Sequence, residues 1–167
     1  MVTNTTDISR IRSVVSGVCD PEIPVLTIED LGILRDIRFE KEKLVVEITP
    51  TFTGCPAMRT IADEIADVLR SEGFTDFDVR LVYSPAWTTD WISESGKLKL
   101  KEYGIAPPAR STEQHLAALL SGVRELVHCP FCNSANTRLT SPFGSTACKA
   151  LHYCDNCHQP FEEFKCH

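Results

Sequence analysis

No stretch of about 18 consecutive apolar residues occurs in the 167-residue chain, so a membrane-spanning helix is not expected. The opening MVTNTTDISRIRSVVSG is polar and lacks the apolar core of a signal peptide, which points to a cytoplasmic protein. Basic charge is in short supply: 17 Lys and Arg face 23 Asp and Glu, a net charge of −6, and such a surface repels a phosphate backbone. Nucleic acid is therefore a poor partner. Paired ExxH motifs are missing, which excludes a di-iron carboxylate centre built on bundle helices, and GxGxxG is missing, which argues against a flavin or nicotinamide fold. There are no internal repeats. Cysteine is almost lacking from the first 128 residues, where only Cys19 and Cys55 occur.

The other six cysteines crowd into the last forty positions, and four of them form two CxxC pairs, CPFC and CDNC, separated by 21 residues. Two knuckles joined by strand-like segments (NTRLTS, TACKALHYC and FEEFKC) bring four thiolates to tetrahedral corners, the closed geometry that suits structural Zn²⁺. Cys129, Cys132, Cys154 and Cys157 are thus the expected ligands, with Cys148, Cys166 and His167 available as substitutes. Ligand type alone does not separate zinc from iron, so a rubredoxin-like iron site stays open as the alternative. A thioredoxin-like role is weaker, because neither CxxC precedes an evident helix in a βαβ unit. From Cys129 to His167 three basic residues balance three acidic ones, which favours a structural or protein-docking ribbon over a nucleic-acid-binding one.

Upstream, Ile8, Ile11, Val15 and Val18 have helical spacing, with Thr6 or Asp7 as N-cap. ILRDIRFE and KLVVEITPTF read as a hairpin, and DFDVRLVYSP as a third strand. In GCPAMRTIADEIADVLRSEG, Met58, Ile61, Ile65 and Leu69 share one face, Pro56 stands at the helix start and Gly73 at its end. TTDWISESGKLKLKEYGI reads as a shorter helix opened by Thr88 or Thr89. The order αββαβα predicts an α+β fold, a three-stranded sheet covered by helices. IAPPAR marks a boundary, so the chain divides into 1–108, a connecting amphipathic helix over 109–127 (Ser111 and Gln114 at capping-box spacing; Leu116, Leu119, Leu120, Val123 and Leu126 as its stripe), and a ribbon over 128–167.

Cys55 precedes the proline-started helix, where free backbone N–H groups and the helix dipole favour a thiolate. It is either a ligand or nucleophile, or a small buried residue at a helix start. Asp20, Glu22, Glu29 and Asp30 lie beside Pro and Gly, where turn and capping roles are commoner than catalysis. Trp87 and Trp91 are expected in the core.

DPEIPVLTIEDLGIL, the strand leading into TFTGCPAM and the helix beyond it resemble the small domain of SufT-type iron–sulfur assembly proteins. SPAWTTDWISESGKLKLKEYGIAPP and the CPFC to FEEFKCH ending resemble the D-subunit family of bacterial phenylacetyl-CoA epoxidases, the ring-oxygenating complexes of phenylacetate degradation. The resemblance implies a maturation factor rather than an enzyme. It ties Cys55, with Asp20 and Thr53 nearby, to transient handling of iron or an iron–sulfur cluster. As partners it implies the di-iron oxygenase subunit, the iron–sulfur flavoprotein reductase subunit, or both, and self-association of the chain stays open.

Overall fold

A computed structural model describes residues 4–108, 120 and 126–165, with side chains from residue 8 onward. The chain forms two compact units, Met1–Trp87 and Thr88–His167.

In the first unit, helix α1 (Asn4–Val15) leads to strands β1 (Leu34–Glu40) and β2 (Lys43–Ile48), then helix α2 (Ala57–Ser71) and strand β3 (Phe77–Leu81). α1 begins before Thr6 and Asp7, so neither is its N-cap. The expected hairpin is present: β1 and β2 are antiparallel, with Glu40 opposite Lys43 and Lys41 turning the chain at φ 60°. β3 then joins β2 in parallel, which requires the crossover that α2 supplies, and β2 becomes the central strand. A central strand covered by a helix needs a continuous apolar run, and Leu44, Val45, Val46 and Ile48 are all buried. Ile61, Ile65 and Leu69 of α2 are fully buried at i, i+4, i+8 spacing. Gly73 ends that helix in the left-handed region (φ 89°), and Phe74 N–H returns to the Leu69 carbonyl, a Schellman closure. Trp87 is buried as expected, and its indole N–H donates to the Leu31 carbonyl at 2.7 Å.

β1, β2 and β3 also carry a row of charge. Arg38 bonds Asp36, Glu40 and Glu47, and Arg80 bonds Glu40 and Asp78. Hydrogen bonds from Arg80 and then Arg38 hold the Glu40 carboxyl down to about 2. That row is a solvated ion-pair lattice across strands.

The second unit opens with a single 3₁₀ turn (Thr89–Trp91) capped by Thr88, whose hydroxyl accepts from Asp90 N–H; Trp91 is half-buried. Helix α3 (Glu94–Glu102) follows, capped by Ser93 rather than by Thr88 or Thr89. Strands β4 (Ile105–Ala106), β5 (Thr137–Ser141), β6 (Lys149–Cys154) and β7 (Pro160–Phe164) form one sheet in the order β4-β7-β6-β5. The three ribbon strands lie where expected. β4 was not expected; the compact units divide after Trp87, whereas the sequence places a boundary at 108. β4 pairs in parallel with β7, Ile105 opposite Glu162, and so draws α3 into the second unit and leaves αββαβ in the first. The capping box and most of the apolar stripe of the connecting helix lie outside the described residues.

Candidate functional site

Each CxxC forms the same backbone knuckle. Asn133 N–H donates to the Cys129 carbonyl and His158 N–H to the Cys154 carbonyl, both at 2.9 Å; Cys129 N–H in turn donates to Ser134 O and Cys154 N–H to Gln159 O. Both knuckles close through a non-glycine residue at φ 60°, Asn133 in one and His158 in the other. These loops oppose each other because β6 carries Cys154 to the end of the sheet while Thr137, at the start of β5, pairs opposite it.

The four sulfurs gather within 4.8 Å of one another, with Cys129 to Cys157 and Cys132 to Cys154 at 3.6 Å. Four sulfurs placed about 2.3 Å from a zinc at tetrahedral corners stand about 3.8 Å apart, so the donor set fits a metal such as Zn²⁺. Cys132 is lowered to about 6, chiefly by the Ser134 backbone N–H, while burial and its sulfur neighbours push Cys157 up to about 12. Sulfurs this close cannot all hold charge without a cation among them. The four cysteines therefore form a donor set suited to a metal ion.

Of the substitutes, Cys148 stands apart at the far end of β6, its Sγ 3.1 Å from Thr146 Oγ1, and takes no place in the group. Cys166 and His167 lie outside the described residues. His152 stacks on Phe161 and pairs through Nε2 with Glu163 at 2.8 Å.

In the first unit the segment after β2 turns through Gly54 (φ 84°) and places Cys55 immediately before Pro56 and α2. The sulfur is half-buried and opens on a cleft of about 510 Å³, whose lining includes Pro50, Met58, Arg59, Leu81 and Tyr83. The expectation of a favoured thiolate is overturned. Burial raises the Cys55 pKa first, and the charges of Asp20 and Glu22 add to it, outweighing the Ala57 backbone N–H and the Thr51 hydroxyl that lower it. Asp20 is thus close enough to act on the sulfur, while its Oδ1 accepts from Glu22 and Ile23 N–H in a turn. Thr53 is exposed, and the hydroxyl that reaches the sulfur belongs to Thr51. Thr51 was missed because two threonines flank Phe52 and only the turn decides which one faces back. The remaining carboxylates are structural: Asp30 bonds Thr27, and Glu29 pairs with Arg12.

Comparison with known proteins follows the same division. Residues 8–79 match the family model of an iron–sulfur cluster assembly protein, and residues 113–165 match that of the PaaD zinc beta ribbon domain. Over 160 residues the chain is 46% identical to an Escherichia coli K12 protein whose provisional name is the D subunit of 1,2-phenylacetyl-CoA epoxidase, covering 95% of this chain and 93% of that one. The chain belongs to the phenylacetyl-CoA epoxidase D-subunit family. The first part of this D-subunit family member is also 33% identical to the Bacillus subtilis Fe-S protein maturation auxiliary factor YitW, across 54% of the chain and 90% of that protein. The same part shares the fold of a domain of unknown function from Bacillus anthracis (TM-score 0.54, 24% identity, 58% of this chain and 93% of that one). Among the described residues no helix is long and apolar enough to cross a membrane.

Proposed function

We propose that this chain is the maturation subunit of a bacterial phenylacetyl-CoA epoxidase system, working in the cytoplasm to help assemble the iron–sulfur or di-iron centre of the reductase or oxygenase subunit. It does not catalyse epoxidation. The observation that carries this reading is a single half-buried thiol, Cys55, opening on a cleft at a helix start, in a unit that matches an iron–sulfur assembly family. One thiolate supplies one ligand to iron or a cluster and leaves the others to be filled by a recipient, which suits transfer. Asp20 acts on the charge of that site, Thr51 and Thr53 flank it, and the raised pKa keeps the sulfur protonated until a cation displaces the proton. The second unit holds Zn²⁺ on Cys129, Cys132, Cys154 and Cys157 as a structural ribbon that presents the chain to its client.

The test is to purify oxygenase and reductase subunits from cells lacking this protein and to measure their iron, sulfide and activity. Under-metallated, inactive subunits are expected, and fully metallated active ones would sink the proposal. Immediate rescue by adding the protein to already metallated subunits, together with visible absorption from the ribbon, would instead mark it as an electron carrier with an iron S₄ site.

A further inference from the structure

The four ribbon sulfurs are not equally shielded. Cys129 and Cys154 are fully buried, Cys157 is half-buried, and Cys132 is exposed. The sulfur standing 3.6 Å from Cys132 belongs to Cys154 of the opposite knuckle. The Asn156 side-chain amide donates toward Cys132 Sγ at 3.6 Å, a contact that withdraws charge from the most exposed of the four cysteines.

From this arrangement we infer that the ribbon is a peroxide-responsive metal site whose entry point is Cys132 and whose first product is a Cys132–Cys154 disulfide that releases the metal. The inference rests on the zinc reading of the ribbon. Cys132 thiolate attacks a peroxide oxygen, the O–O bond breaks, and hydroxide leaves, giving the sulfenic acid. Cys154 thiolate then attacks that sulfur, the S–O bond breaks, and a second hydroxide leaves. Two thiolates have been oxidised by two electrons, one hydrogen peroxide has been reduced, and two solvent protons complete two waters. Two of the four ligands are then lost to a covalent bond, and the remaining pair cannot hold a tetrahedral ion. Cys132 is the favoured target because attack needs access, and Cys154 is the favoured resolver because the fold already holds it opposite. Asn156 acts as a positioning residue that damps the exposed sulfur.

The experiment uses the full chain, purified anaerobically, with zinc content measured before anything is added. Hydrogen peroxide is then titrated in, zinc release is followed with a chelating dye, and disulfides are mapped by mass spectrometry after acid quench. About one zinc per chain is expected to leave in step with a Cys132–Cys154 linkage. Asn156→Ala keeps all four ligands and should start with the same zinc content but release it severalfold faster. Zinc retained at peroxide levels that fully oxidise Cys55 would overturn the proposal, as would a first linkage that omits Cys132 or joins it to Cys129. An unchanged release rate in Asn156→Ala would remove the role given to that side chain. Protein that holds no zinc at the outset fails the metal reading itself, and the first measurement tells that failure from the others.

Discussion

Stripping the ribbon metal should unfold the strands that carry its ligands and leave the first unit intact. The reason lies in what the ribbon core is made of: Ala106, Val127, Cys129, Cys154 and Phe161, with Cys157 packed against them. Half of that cluster consists of the cysteines proposed as metal ligands, so on that reading removing the ion removes the core as well as the cross-link. Structural zinc binding contributes about 10–16 kcal/mol near neutral pH, as much as the whole stability of a typical domain, about 5–15 kcal/mol. In the first unit, Ile61, Ile65 and Leu69 are buried with Leu44, Val46 and Ile48, and none of these depends on a metal. Acid should do what a chelator does. The metal-bound state holds four thiolates, while the released thiols take up protons at about 8.5, so the unfolded state binds more protons and stability falls as pH falls. Metal release is therefore expected on acidification. The assay is amide NMR with and without chelator: signals from β5, β6 and β7 should collapse to the random-coil region, those of α2 and β2 should stay, and added zinc should restore the spectrum. Ribbon amides that stay dispersed in protein shown to hold neither zinc nor iron would refute the reasoning.

Cys55→Ser should leave the far-ultraviolet circular dichroism and melting temperature nearly unchanged while abolishing growth on phenylacetate; normal growth would make Cys55 structural. In the wild-type protein, alkylation of Cys55 should rise at a higher pH than for free cysteine, since burial together with Asp20 and Glu22 raises its pKa. Trp87→Phe should destabilise the first unit by about 2–4 kcal/mol in a denaturant melt, because it orphans the Leu31 carbonyl and leaves a gap in the core. Glu162→Gln should cost the second unit about 2–3 kcal/mol, since it strands the buried Lys149 ammonium, whose carboxylate lies 2.8 Å away but is itself partly solvated.

The ribbon was legible because its signal is local: two CxxC pairs at fixed spacing name the four cysteines that the fold brings together, and short alternating runs name three strands. α2 was legible for a similar reason, with an apolar face at helical spacing between a proline and a glycine. What escaped was set by contacts distant in sequence. β4 is two residues long, and nothing in Ile105–Ala106 marks them as a strand until β7 arrives beside them, more than fifty positions later. Ser93 outcompeted Thr88 and Thr89 as helix cap because the chain makes a separate 3₁₀ turn first, and propensity does not separate these adjacent hydroxyls. The acidity of Cys55 was misjudged because the helix-start argument counts one N–H and the dipole, whereas burial and two carboxylates thirty-odd positions earlier decide the sign.

The two thiol sites differ in the way their proposed tasks require. In the ribbon, four sulfurs stand at spacings a single ion satisfies, so every coordination position belongs to the protein and nothing is left for a recipient to take. A site of that kind holds metal as a fold element and gives it up only when its ligands are chemically altered or protonated. At Cys55 the chain offers one sulfur beside an open cleft, with Arg59, Leu81 and Tyr83 on its lining. Iron or a cluster held there has positions for a second protein to fill, and each ligand the recipient adds makes transfer more favourable. On the proposed function, changing ribbon cysteines should therefore reduce the amount of folded protein and spare whatever chemistry survives per molecule, whereas changing Cys55 should do the reverse. Measuring soluble yield and oxygenase metallation side by side for Cys129→Ser and Cys55→Ser separates the two sites, and equal loss of yield in both variants would show that they do not divide the work in this way.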